Sequence, residues 1–252
     1  MPRSRSFSVA CAVVLAAAIA PAIAQQTPPM TATAIYSARQ PYGIETFGEF
    51  RKLIQQGDFA ARVKLRDVMA RRPTTGVGAL ADARGEITIH DGKLVVSYGK
   101  AGAPADAAAE SAALLALGAV GEWQSIAVDK DVAPTEIETY LAAVAREHGI
   151  DTEKSFPFEL RGTLISCLMH VNAAPTNGPH GMGLPVAIAM EIRGDEIDGS
   201  VAGIYVSADL VGIATHGGER THAHWLSPDG SSTAHLDRWG VKAGSVLRLP
   251  KP

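Results

Sequence analysis

The chain has 252 residues, 23 basic against 26 acidic side chains, a formal charge of −3 and 46% hydrophobic residues. That is enough apolar material for one large core or two small ones, and the charge balance supplies no basic footprint for nucleic acid and no polybasic membrane patch. Beyond residue 24 no stretch is apolar for long enough to span a bilayer.

Residues 1–24 read as an export signal, with Arg3 and Arg5 at a basic start, an apolar run from Phe7 to Ala20, and Ala22-Ile23-Ala24 as a small-x-small cleavage site. Removing it predicts a mature protein that is periplasmic or secreted and free of the membrane. Loss of Arg3 and Arg5 leaves 21 basic residues against 26 acidic, a formal charge of −5, and Cys11 departs too. Cys167 then has no partner for a disulfide. In the apolar run Leu164 to Met169 it reads as a packed, inert thiol.

Residues 25–43, rich in Gln, Thr, Pro and Ala, read as a flexible arm. Thr46-Phe47-Gly48-Glu49 has the spacing of a capping box and predicts a helix through about Gln56, stopped by Gly57-Asp58. Val63 to Arg72 predicts a second short helix ended by Pro73. Gly76 to Ala81, Glu86 to His90 and Lys93 to Tyr98 read as strands, the last two joined at Asp91-Gly92, a hairpin dipeptide. Pro104 to Gly118, rich in Ala, fits a helix or a linker.

Trp123 to Val128 predicts a strand, and Pro134 opens an amphipathic helix with Ile137, Leu141 and Val144 on one face, ending at Gly149. Phe156 to Val171 reads as a strand pair or one bent strand. Val186 to Ile192, Ser200 to Val206, Leu210 to Ala214 and Ser245 to Leu249 read as further strands. Asn177 to Gly181 is a turn from which His180 could reach a site, whereas His90 and His148 are expected to face solvent. The pattern predicts an α+β fold of mixed or antiparallel sheets with a few helices. Residues 44–150 form its N-terminal part and 151–252 a β-rich C-terminal part.

The chemistry concentrates in Thr221 to Leu236. Asp229-Gly230 suits a two-residue type I′ hairpin, in which both central residues take positive φ. Residues whose numbers sum to 459 then lie opposite each other, pairing His224 with His235. Alternation places His222 on the same face. Three imidazoles on one side of a hairpin are the nitrogen set of a catalytic zinc site, although other divalent ions also suit them. A slip of one residue would send His235 to the other face.

With these segments in order the chain resembles the acetolactate decarboxylase family from about Glu45 to Pro250. The matching pieces are Thr46-Phe47-Gly48-Glu49-Phe50, Gln56-Gly57-Asp58-Phe59, Gly85-Glu86, Asp91-Gly92-Lys93, Phe158 to Leu164, Gly199 to Gly203, His222-x-His224 with His235, and Leu247-Arg248-Leu249-Pro250. The resemblance implies a two-part α+β fold and a zinc lyase converting 2-acetolactate, a small 2-hydroxy-3-keto acid, to acetoin and CO₂, with a homodimer left open. It also implies that His222, His224 and His235 hold the metal and that Glu86 is the active-site glutamate. A Lewis-acidic zinc suits the chemistry, because loss of CO₂ from a β-keto acid leaves an enolate.

The chain departs from the family pattern at three points. Where the family has an arginine able to hold the substrate carboxylate, this sequence has His170. The family continues past Leu-Arg-Leu-Pro to return a second glutamate to the metal, for which the residues up to Pro252 offer no counterpart. His216-Gly217-Gly218-Glu219-Arg220 is an insertion that reads as a charged loop, from which Glu219 or Arg220 could replace a missing group. The alternative these differences support is a metal-binding or ligand-binding protein on the same fold without decarboxylase activity.

Overall fold

Two antiparallel sheets face each other across a seam, and alternation along single strands decides what enters it. The computed structural model describes residues 36–38, 44–99, 106–173 and 187–252. The export signal, most of the predicted arm and the turn carrying His180 lie outside the described residues.

The first sheet is built from β1 (Tyr36–Ala38), β2 (Ile44–Phe47), β3 (Val63–Lys64), β4 (Thr75–Leu80), β5 (Gly85–His90), β6 (Lys93–Tyr98) and β7 (Ser111–Gly118). Its order is β1-β2-β7-β4-β5-β6, with β3 also paired to β7. Asp91 and Gly92 take φ of 47° and 72°, so the β5–β6 turn has the two positive-φ residues of the expected hairpin. The Ala-rich region is neither helix nor linker at its heart: β7 lies mid-sheet and is almost wholly buried. Small side chains that would suit a helix are needed here because both faces of β7 are covered.

Helix α1 (Phe50–Gln56) is shorter than the capping box implied. Thr46 is in β2, and Glu49 makes no side-chain cap. The orphan donors of the first turn are met from a distant loop instead, Phe50 N–H by the Ile213 carbonyl at 2.7 Å and Arg51 N–H by that of Gly212 at 2.9 Å. Gly48, at φ 77°, makes the preceding turn where a Cβ would sit 2.1 Å from the Ala113 oxygen. Gly57 ends the helix in the left-handed conformation as expected, its N–H returning to the Leu53 carbonyl. The second predicted helix contracts to α2 (Leu65–Met69), because Val63 and Lys64 pair with β7.

The second sheet comprises β8 (Trp123–Ala127), β9 (Phe156–Ala173), β10 (Ala187–Tyr205), β11 (Thr221–Leu226), β12 (Thr233–Val241) and β13 (Val246–Pro250). Its order is β10-β11-β12-β9-β13-β8, and β10 also pairs with β9, so β9 to β12 close into a ring. Phe156 to Val171 is one bent strand, turning at Gly162 (φ 150°) and Ser166 (φ 52°). The two strands expected between residues 186 and 206 are one, since β10 pairs with β9 along its length. Leu210 to Ala214 is not a strand; it follows a short 3₁₀ turn and supplies the carbonyls that meet α1. Helix α3 (Ile137–Glu147) buries Ile137, Leu141 and Val144 in the core of this sheet, as its periodicity predicts. Cys167 is buried there, and burial pushes its thiol up to about 11, in keeping with an inert role.

Strand β5 shows how the seam is filled. Ile87 and Ile89 point into the apolar core with Val63, Leu65 and Val68. The alternate residues Glu86, Thr88 and His90 face the second sheet. Apolar contact between the sheets comes from Ile44, Val77 and Ala116 against Ala202, Ile204 and Leu226. His90 does not face solvent as expected; its ring lies 3.7 Å from both Asp91 and Glu159.

Glu159 is fully buried at this seam. It accepts from Thr75 Oγ1 at 2.7 Å, from Asp91 N–H at 3.3 Å and from Arg248 at 2.7 Å. His90, Asp91 and Glu159 offer ligand atoms close together. However, the Arg248 guanidinium already bonds both carboxylates, at 2.7 Å each, and serves as their cation. This is a clasp between the sheets. Glu159→Ala would leave Thr75 without its partner and Arg248 with Asp91 alone, and urea unfolding should show a loss of about 2 kcal/mol. A loss under about 0.5 kcal/mol would remove the clasp from the account.

Candidate metal centre

The β11–β12 hairpin has the expected register: His224 lies opposite His235 and Leu226 opposite Thr233. The turn differs from the expectation. Gly230 has φ 69° but Asp229 has no positive φ, and Gly230 N–H bonds the Ser227 carbonyl at 2.8 Å. Pro228 is the reason, since its ring fixes φ near −65° and favours the second position of a type I turn. Ser227 N–H also bonds the Ser232 carbonyl, so the loop holds four residues. A four-residue loop centred on the same point keeps the same register as a two-residue one, so the histidines converge regardless.

His222, His224 and His235 are 3%, 0% and 6% exposed. Their nearest ring nitrogens all lie within 4.8 Å of one another. His224 Nε2 is 3.2 Å from His222 Nε2 and 3.4 Å from His235 Nδ1. The other nitrogens reveal which of these carry protons. His222 Nδ1 is 2.9 Å from the Ala214 carbonyl, which only accepts, so Nδ1 donates and Nε2 is a bare lone pair. Thr233 donates its hydroxyl proton to the Trp225 carbonyl, so Thr88 must donate to Thr233. Thr88 therefore accepts from His224 Nδ1 at 3.0 Å, leaving His224 Nε2 bare as well.

Bare lone pairs facing each other in a buried site repel, and a single proton can bridge only one pair. A divalent cation satisfies all three. Metal–nitrogen bonds of 2.0–2.1 Å in tetrahedral geometry put ligand nitrogens about 3.4 Å apart, close to the separations here. Burial first, then mutual repulsion of charge, lowers His222 to about 3 and holds His224 and His235 well below the usual histidine range. All three are therefore neutral, the form that binds metal. The donor set fits.

Glu86 completes this end of the seam. It is 2% exposed, with Oε2 3.8 Å from His224 Nε2 and Oε1 accepting from Asn172 N–H at 3.1 Å. Burial raises it from 4.5 to about 7, against the lowering pull of His170 and the Asn172 amide, so it exchanges a proton near neutrality. His170 sits beside His235 on β9, with Nδ1 2.7 Å from Asp237 Oδ2. Burial alone would lower His170, but the Asp237 bond and the nearby Glu86 charge outweigh it and raise the imidazole. Asp237 is the extra residue of a β-bulge in β12, the device that aims it at His170.

Glu86, His170, Asn172, His216, His222 and His235 line one side of a cavity of about 260 Å³. The remaining wall is apolar and includes Phe50 and Leu53 of α1. All five residues singled out in the sequence thus come together. Asp237, Asn172, Thr88 and His216 were missed. Alternation signals two of them: Asn172 follows His170 by two, and Thr88 follows Glu86 by two. Nothing local marks His216, which the inserted loop delivers 4.0 Å from the Phe50 ring. Arg220 is engaged elsewhere, and Glu219 lines a separate pocket that His222 and His235 also border. The Arg220 side chain bonds the Val206 and Thr152 carbonyls and lies over Tyr205, and Glu219 is outside the residues lining this cavity.

No protein-family model and no curated protein sequence matches the chain. Solved structures do. The alpha-acetolactate decarboxylase of Bacillus subtilis strain 168 superimposes with a TM-score of 0.64 at 13% identity, over 83% of this chain and 86% of that one. The acetolactate decarboxylase of Bacillus subtilis subspecies spizizenii gives 0.63 at 13% identity, over 83% and 86%. A Staphylococcus aureus protein of unknown function similar to alpha-acetolactate decarboxylase gives 0.59 at 13%, over 81% and 83%. The chain shares their fold, an α+β architecture in agreement with the sequence pattern.

The buried imidazoles set a pH dependence for the metal-free protein. Between pH 6.5 and 4.5 the three histidines are protonated in the unfolded chain but not in the folded one, so stability is full above 6.5 and falls as pH drops. Glu86 has the opposite sign: raised to about 7, it holds a folded-state proton that the unfolded chain lacks above 4.5. His216, lowered by burial, adds to the proton uptake on unfolding and Glu86 opposes only part of it, so stability falls as pH drops from 6.5. Urea titrations in chelator at pH 6 and 5 should show that loss, and equal or greater stability at pH 5 would contradict the neutral cluster.

Proposed function

We propose that the protein is an exported zinc-dependent decarboxylase of 2-hydroxy-3-keto acids of the 2-acetolactate type, releasing CO₂ and acetoin. The observation that carries this reading is the convergence of three buried imidazoles, two of them with bare nitrogens turned to the cluster, with a proton-exchanging glutamate at one end of a cavity. The likeness in fold to acetolactate decarboxylases supports it.

His222, His224 and His235 would hold the metal, with Glu86 adjacent. Bound there, a divalent metal supplies Lewis acidity for the negative charge that carbon–carbon cleavage leaves on substrate oxygen. The chain's own groups do the rest. His170, anchored through Nδ1 to Asp237 and lining the cavity, would bind the substrate carboxylate where the bond to CO₂ will break. The electron pair of that bond stays on the substrate, and the carbon that lost CO₂ takes a proton. Glu86 carries that proton, because its burial keeps it partly protonated at neutral pH. The apolar wall keeps water from the carbon before Glu86 reaches it. Three imidazoles and a carboxylate favour zinc, and other divalent ions fit the same donors.

With zinc-loaded protein and racemic acetolactate, acetoin should form, and His224→Ala should lose metal and turnover together. Glu86→Gln should keep its metal while kcat falls about 10²–10⁴-fold. His170→Ala should raise KM by roughly tenfold or more through loss of the carboxylate contact. Full zinc occupancy with no acetoin would defeat the decarboxylase reading and leave a binding protein. For export, the protein recovered from outside the cytoplasm should have Gln25 as its first residue by mass spectrometry; retention of residues 1–24 would reject cleavage.

A further inference from the structure

The cavity has two unlike ends, and the proposed reaction uses one of them. Leu114, Ala79 and Glu86 lie directly opposite one another on β7, β4 and β5, forming one row on the cavity side of the sheet. Neighbouring strands are about 4.8 Å apart, so Leu114 lies roughly 10 Å from Glu86 along the row. Between them Ala79 contributes a single methyl. The row is a trough with the acid at one end and an apolar wall at the other. Helix α1 roofs the far end with Phe50 and Leu53, with Phe59 beside them; all three are buried and pack with Ala79 and Leu114, and the exposed Ile54 stands at the rim. Phe50 marks the boundary, its ring 4.0 Å from that of His216 and 5.4 Å edge-on from that of His222.

A substrate with only methyl groups would hold its polar head at the histidines and leave the trough without contact atoms. We propose that the site is shaped for 2-hydroxy acids carrying an apolar chain of about three or four carbons on C2, with the chain lying over Ala79 toward Leu114 and Phe59. This rests on the decarboxylase reading for the reaction, but chain-length selection by the trough can be measured without it. Each methylene buried there strengthens binding roughly fourfold.

The test uses zinc-loaded, full mature protein and unreactive 2-hydroxy-2-methyl acids, which lack the 3-keto group and lose no CO₂. Calorimetry across chains from methyl to butyl should show Kd falling roughly fourfold per carbon through propyl. A flat series, or weaker binding with length, overturns the proposal. Ala79→Leu, checked for zinc content and circular dichroism, should invert the order, making the propyl acid bind more weakly than the methyl one. An unchanged order in a folded, metal-loaded variant would place the chain elsewhere and also overturn it. A parallel assay on the matching 2-hydroxy-3-keto acids separates the two ideas. Turnover that peaks at longer chains supports both, and a binding trend with no CO₂ from any acid keeps the trough and discards the decarboxylase.

Discussion

The structure turns on three imidazoles crowded together away from water. Nothing about that arrangement is favourable in itself: the groups repel, cannot all share protons, and lie where charge is costly. They are kept in place by the backbone. Antiparallel pairing sets His224 against His235, and the Ala214 carbonyl and Thr88 hydroxyl fix two of the rings by taking their other protons. The rest of the site is arranged around this cluster, with Glu86 beside it on the opposing sheet and His170 on the strand that flanks β12. Each sheet contributes what the other lacks. The first brings the carboxylate and the hydroxyl, and the second brings the nitrogens.

The hairpin and its register were readable in the sequence because they rest on local rules: a turn dipeptide and the two-residue period of a strand. The same period in Glu86-Ile87-Thr88-Ile89-His90 already separates a core face from a seam face. His90 lies on that seam face, beside the buried Glu159, rather than in solvent. Local rules failed where distant partners decided the outcome. Thr46-x-x-Glu49 looks like a capping box, yet the helix begins at Phe50 because carbonyls more than 160 residues away meet its first donors. Ser111 to Gly118 has helix-friendly composition, yet a strand covered on both faces needs small side chains. His216 had no local signal at all, since a loop's reach depends on how the elements around it are packed.

Ring closure among β9, β10, β11 and β12 explains why this hairpin is firm enough to crowd its histidines. His235 is flanked on one side by His224 and on the other by His170, both through backbone ladders. Neither edge of β12 at this point is free, so the ligand strand cannot slide to relieve repulsion. The bulge at Asp237 brings a carboxylate to His170 rather than loosening the pairing.

The loop from Gly212 to His216 ties together groups that look unrelated. Its carbonyls at Gly212 and Ile213 hold the first turn of α1, the Ala214 carbonyl orients His222, and His216 packs on Phe50. The helix that roofs the apolar end of the cavity and the proton position on His222 therefore hang on five consecutive residues. Evolution cannot reshape the roof freely, because moving α1 pulls on the same segment that aims His222. Changes in the size of the cavity are consequently easier to make from the sheet side, at positions such as Ala79, than from the helix.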